Sequence, residues 1–139
     1  MKFPPHIPIY GDQTFRGKCP TETVEQSSFF NRLRREYPDT WGRIALHIRN
    51  EGKRNVRQMQ SIKGQGGFVA GASDVVIPGC PAFVCELKRL DHRQSTWQDG
   101  QIAYLEACHA AGAFACVALG AVGAWSALQD WLAIITKNT

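Results

Sequence analysis

The chain has 139 residues, 44% of them hydrophobic and 20% charged, with a formal net charge of +4. That is enough for one domain with a true core, and no apolar stretch is long enough to span a membrane. The charge is unevenly placed: residues 16–63 hold eleven Lys/Arg and five Asp/Glu, a balance of +6, while the remainder holds five and seven, a balance of −2. A basic half of this kind is either a solvated face or a phosphate-binding surface. No signal peptide opens the chain, because no apolar segment follows the first five residues. The five cysteines (Cys19, Cys80, Cys85, Cys108 and Cys116) are odd in number and lack CxxC spacing, which reads as reduced, mostly buried thiols in a cytoplasmic protein.

Residues 1–20 hold four of the seven prolines. They are expected as an extended, Pro-rich arm outside the core, with residues 21–139 forming the domain proper. Thr21 or Thr23 caps a helix running to about Tyr37. Thr23 and Gln26 have capping-box spacing, Phe30, Leu33 and Tyr37 form the apolar stripe, and Pro38 stops the helix. Ile44, Leu46 and Ile48 alternate with more polar neighbours, the pattern of a half-buried strand. A polar turn at 50–53 leads to a short basic helix at 54–62 and a loop with Gly64, Gly66, Gly67 and Gly71. Two apolar runs follow at 74–77 and 82–88, and Pro78-Gly79 between them is a turn signal, so the two pair as a hairpin. A helix is expected from Ser95 to Ala111, with Ile102, Ala103 and Leu105 buried and Gly112 ending it. A strand at 113–119 and a last helix lined by Trp125, Leu128, Trp131 and Leu132 complete the order. It predicts an α/β fold, a mixed β-sheet flanked by helices.

The second hairpin strand ends in Glu86-Leu87-Lys88. A carboxylate and an ammonium at the end of a buried strand are costly unless they have partners. Their i, i+2 spacing puts both on one face of the strand, and the hairpin brings Asp74 toward Glu86. Two acids and a lysine at one spot suggest a divalent metal site with a lysine near the reacting group. The bland alternative is a structural ion pair at a strand end. Four features favour chemistry: Asp74 upstream, Glu25 in the first helix with Glu22 one turn before it, Gln98 opening the later helix with Gln101 at i+3 on the same side, and the polar turn at 50–54. His47, on the polar side of its strand, reads as a surface histidine.

Taken together these pieces resemble the VRR-NUC group of the PD-(D/E)xK nuclease superfamily, from Glu25 to Gly112. Thr23-Val24-Glu25-Gln26 resembles the group's first-helix glutamate motif. The run from Leu46 to Arg54 is similar to its strand ending in an asparagine–glycine–basic turn. Gly71-Ala72-Ser73-Asp74 stands where the group writes glycine, a small residue, proline and aspartate. Glu86-Leu87-Lys88 is the E-x-K, and Ser95-Thr96-Trp97-Gln98 looks like the S-x-x-Q that follows it. Ser73 replaces the usual proline and Leu87 the commoner valine; neither change removes a ligand.

The resemblance implies a restriction-endonuclease-like core and a deoxyribonuclease dependent on Mg²⁺ or Mn²⁺. It makes Asp74 and Glu86 direct ligands, with the Leu87 carbonyl third. Glu25 would hold the same or a second ion, with Glu22 as its competitor. Lys88 would orient or deprotonate the attacking water and steady the scissile phosphate, and Gln98 would position water or a DNA phosphate. Arg49, Asn50, Lys53 and Arg54 would contact nucleic acid. Small stand-alone members, often from phages, look like Holliday junction resolvases. This implies branched or structured DNA as substrate, the cytoplasm of a phage-infected or bacterial host, and a C2 homodimer able to cut two strands. Trp125, Trp131 and the Pro-rich arm are the candidate interface. Two other readings are a nonspecific or single-strand nuclease, and a nucleic-acid-binding module with an idle metal site.

Overall fold

The computed structural model describes residues 1–48 and 69–137. One mixed five-stranded sheet runs through it in the order β1-β5-β4-β3-β2. Its strands are β1 (Ile9–Tyr10), β2 (Leu46–His47), β3 (Val75–Ile77), β4 (Phe83–Lys88) and β5 (Phe114–Leu119). β4, β5 and β1 are parallel, whereas β3 is antiparallel to both β4 and β2. The helices are α1 (Glu22–Glu36), α2 (Trp41–Ile44), α3 (Gln101–Ala110) and α4 (Gly120–Lys137), with a 3-10 turn at His92–Gln94. The expected α/β fold and its hairpin are therefore present.

β4 is buried along its whole length. Phe83, Cys85 and Leu87 join Phe29, Leu33, Leu128 and Trp131 in the main core, beneath α1 and α4. Val84 joins Leu105, Val117, Ala115 and Ile7 in a smaller core beneath α3. The alternation of a strand thus assigns odd positions of β4 to one helical layer and even positions to the other.

Three expectations are corrected. The first concerns residues 1–20, which are not an arm outside the core. β1 pairs with β5, Ile9 opposite Val117 and Tyr10 opposite Ala118, and Ile7 is buried. Pro8 has no N–H to give, but its carbonyl accepts from the Val117 N–H at 3.0 Å, a role that suits an edge position.

The second concerns residues 44–48. Trp41–Ile44 is a single helical turn, and only Leu46–His47 is extended. Leu46 is 52% exposed. It pairs with Val76, on the side of the sheet covered by α3, and α3 packs over β4 and β5 rather than over this edge. His47 is exposed, as expected of a surface histidine, with its ring 5.2 Å from the Phe30 ring and its Nε2 2.9 Å from Gln26 Oε1.

The third concerns the later helix, which starts at Gln101 and not at Ser95. Gly100 has φ +87°, a left-handed conformation that breaks a helix. Within the helix Leu105 is buried as expected, but Ile102 is half-buried and Ala103 exposed.

The first helix follows expectation more closely. Thr21 caps it, its side chain accepting from Val24 N–H at 3.3 Å. The basic helix expected at 54–62, the loop glycines Gly64, Gly66 and Gly67, and the residues Arg49, Asn50, Lys53 and Arg54 lie outside the described residues. No helix among the described residues is long and apolar enough to cross a membrane.

Candidate active site

The hairpin register decides which acids meet. Val75 pairs with Cys85 in the antiparallel β3–β4 ladder, so the next pair outward is Asp74 and Glu86, on the face that carries Lys88. All three are enclosed: Asp74 is 2% exposed, Glu86 0% and Lys88 1%. The Leu87 backbone N–H donates to Asp74 Oδ2 at 2.9 Å, which fixes the aspartate against β4. The N–H and C=O of one strand residue point to the same edge, so the Leu87 carbonyl also faces the Asp74 side.

Lys88 and Glu86 are joined by a residue to which sequence reasoning gave no role of its own. Gln101, the first residue of α3, is 3% exposed. Its Nε2 donates to Glu86 Oε1 at 2.8 Å, and its Oε1 accepts from Lys88 Nζ at 2.9 Å. The direct Lys88–Glu86 separation is 3.9 Å, so the amide carries the close contacts of the pair. Lys88 Nζ also donates to the Thr96 carbonyl at 2.7 Å and lies 4.6 Å from the centroid of the Trp97 ring. A carbonyl, an amide oxygen and an aromatic face are what a buried ammonium needs.

Gln98, the expected glutamine, is exposed; only its backbone N–H reaches the network, donating to Gln101 Oε1 at 2.8 Å. The helix break at Gly100 explains the difference. With Ser95–Gln98 outside the helix, the first helical glutamine to face β4 is Gln101. The signal in the sequence was Asp99-Gly100, a turn pair placed just before Gln101.

Glu25 stands apart from the pair. Its Oε2 accepts from the Ala121 N–H at 2.7 Å, the first turn of α4, where a carboxylate is electrostatically favoured. Gly120 makes room for it: a Cβ there would collide with that same carboxylate oxygen and with Leu90. Gly120 follows Leu119, which pairs with Lys88, so Glu25 reaches the same end of the sheet from the α1 side. Glu22 is held elsewhere, accepting from Ser95 Oγ at 2.8 Å, while the Ser95 Oγ accepts from the Arg89 N–H at 2.9 Å. A polar cleft of about 320 Å³ opens here, lined by Glu22, Thr23, Arg89, Thr96 and Gln98.

The donor set suits a hard divalent cation. Two buried carboxylates and a backbone carbonyl are oxygen ligands of the kind Mg²⁺ and Mn²⁺ take. Among the described residues no group of three or more His, Cys, Asp or Glu side chains gathers as a ligand cluster. An ion bound by Asp74 and Glu86 would therefore draw on backbone, water or substrate for its other ligands, as Mg²⁺ commonly does. Behind the site, Cys85 hydrogen-bonds to Cys116. That bond, then burial, pushes the Cys85 thiol well above its ordinary value, with the Asp74 and Glu86 charges adding to it; such a thiol is inert. All five cysteines are free, but only Cys85 and Cys116 are buried, fewer than expected, and Cys80 is exposed.

The two tryptophans considered for an interface are used inside the chain. Trp131 is fully buried and donates from Nε1 to the Pro81 carbonyl at 2.8 Å. Trp125 is half-buried between Phe29, Tyr37 and the Arg32 guanidinium.

No family model and no curated protein matches the chain. Among solved structures, a protein described as a VRR_NUC domain protein matches it with a TM-score of 0.66 at 21% identity, covering 85% of this chain and 91% of that one. The chain therefore has the fold of that protein.

Proposed function

We propose that the chain is a divalent-metal-dependent nuclease that hydrolyses phosphodiester bonds in DNA. The observation that carries this reading is the buried meeting of Asp74, Glu86 and Lys88 on one face of the β3–β4 pair. The shared fold with a VRR_NUC domain protein supports it, since the same three positions carry the sequence resemblance to that group.

Asp74 and Glu86, with the Leu87 carbonyl, hold Mg²⁺ or Mn²⁺; the ion, when bound, supplies Lewis-acid neutralisation of the charge that builds on the phosphoryl oxygens. Lys88 supplies a second positive charge beside it and orients the attacking water. Gln101 keeps Glu86 and Lys88 apart at a fixed distance, so that one remains a ligand and the other a proton-handling group. The polar cleft with Arg89, Thr96 and Gln98 takes the sugar–phosphate backbone next to the scissile bond, so Gln98 meets DNA rather than the reacting atoms. Glu25 braces α4 at the edge of the site and acts on a metal only through water. The excess of basic residues in the sequence between 16 and 63 adds affinity of the salt-dependent kind.

We further propose branched DNA as the preferred substrate and a symmetric dimer as the active form; the five free thiols fit a cytoplasmic setting. The test is a panel of four-way junction, flap, single strand and linear duplex with Mg²⁺, Mn²⁺ or EDTA. Junction cutting in symmetric pairs, abolished by EDTA and by Asp74→Ala, is expected. Cutting of every substrate alike would leave a nonspecific nuclease. Salt-sensitive binding with no cutting of any substrate would overturn the enzyme reading in favour of a binding module.

A further inference from the structure

The residues closest to the Lys88 ammonium come from β4, α3 and the segment between them, and one of these is in turn held by the first residues of the chain. Trp97 presents its ring to Lys88 Nζ at 4.6 Å from the centroid. Its indole N–H donates to the Lys2 carbonyl at 2.8 Å. Phe3 packs edge-on against the Trp97 ring at 6.4 Å and against the His92 ring at 5.2 Å. Phe3 is fixed in turn by its neighbour Ile7, buried in the smaller core beside Val84 and Val117, and by β1.

We propose that Trp97 is a positioning residue for Lys88, and that the N-terminal segment acts on the site through it. The proposal rests on the reading of Lys88 as part of a nuclease site for its effect on turnover, but not for its geometry. An ammonium on a four-carbon stem has many rotamers. Thr96 and Gln101 take two of its three N–H groups, and these alone allow the stem to swing about them. The Trp97 face closes that path, because a desolvated ammonium is attracted to the π-cloud and the ring fills the space the stem would sweep. The ring keeps its angle only while Lys2 O holds the indole N–H and Phe3 backs it. The segment of residues 2–10 is thus both a sheet edge and an outer brace of the Lys88 pocket.

The decisive measurement is the side-chain NMR signal of Lys88 in the full-length protein, assigned by its loss in Lys88→Arg. In the parent protein the ε-methylene protons should be shifted upfield by the Trp97 ring current. Trp97→Ala should abolish that shift. Trp97→Phe, which keeps a ring but loses the bond to Lys2, and Phe3→Ala, which removes the backing, should each reduce it. Turnover on the DNA substrate should fall about tenfold in Phe3→Ala and Trp97→Phe with KM within about twofold, since misplacing a reacting group acts on kcat.

Absence of the upfield shift in the parent protein would overturn the proposal. So would its full retention in Phe3→Ala and Trp97→Phe, provided circular dichroism shows both folded. Parent protein that cuts no DNA yet shows the predicted shifts would sink the nuclease reading and keep the positioning one. Cutting unchanged in Phe3→Ala despite a reduced shift would overturn the functional half. If Trp97→Ala does not fold, the other two variants carry the test.

Discussion

The two faces of β4 are equally buried and chemically opposite. Toward α1 and α4 the strand sends Phe83, Cys85 and Leu87 into an aromatic core with Phe29 and Trp131. Toward α3 it sends Val84, then Glu86, then Lys88, each nearer the end of the strand. The first face is filled by shape. On the second, Glu86 and Lys88 must find partners: Gln101 serves both, and Thr96 and the Trp97 ring serve Lys88. Burial alone therefore does not separate core from site; the chemistry of the neighbours does.

The contrast predicts opposite outcomes for substitutions on the two faces of one strand pair. The largest effect is expected for Lys88→Ala, which should lower cleavage by about 10²–10⁴-fold, the usual contribution of a positioned proton-transfer group. Asp74→Asn should lower cleavage comparably and weaken metal binding in calorimetry. Its amide oxygen still accepts from Leu87 N–H, so unfolding free energy should change by less than about 1 kcal/mol. Phe83→Ala, on the other face, should cost about 3–5 kcal/mol in denaturant unfolding. Loss of stability in Asp74→Asn as great as in Phe83→Ala would erase the distinction between the faces.

Gly120→Ala sharpens the same comparison where the faces meet. Gly120 has φ +73°, and an added Cβ would press on the Glu25 carboxylate and Leu90. A loss of about 1–3 kcal/mol is expected from the left-handed backbone alone, read as a lower thermal midpoint. Glu25→Gln retains an acceptor for Ala121 N–H and should be milder.

The smallest effect concerns acid. Asp91 accepts from Arg93 and from Gly17 N–H, tying the 3-10 turn to the N-terminal segment, and these bonds hold its carboxyl below the usual carboxylate range. A depressed folded-state value stabilises above the unfolded value of about 3.9 and is lost as pH falls through the folded one. Asp91→Asn should flatten the acid limb of stability below about pH 4 and leave the neutral region nearly level. A variant whose acid limb matches the parent would remove Asp91 from that account.

Much of this was legible in the sequence because the signals were local. Pro78-Gly79 set the hairpin, and the hairpin set the register that joins Asp74 to Glu86. Thr21, Leu33 and Pro38 marked the first helix. The failures came where tertiary contacts outvoted pattern. Leu46 alternates correctly for a strand but faces a side of the sheet that α3 does not reach. Four prolines made residues 1–20 look unstructured, yet Ile7 and β1 found β5 far along the chain. Gln98 was chosen by its spacing from Ser95, whereas Gly100 delays the helix and gives Gln101 the position facing Lys88. The Glu25 carboxylate could not be seen at α4, because that contact joins residues 25 and 121.

The pairing of β1 with β5 also bears on the order in which the fold can assemble. Ile9 meets Val117, so the sheet edge closes only once residues more than a hundred positions apart have come together. Contacts of such sequence separation form late and slowly, because a large loop must close before any contact rewards it. The hairpin carrying Asp74, Glu86 and Lys88 is by contrast local, and its strands can associate early. Between the two events the chain carries its acids and lysine without the outer brace that Lys2 and Phe3 supply through Trp97.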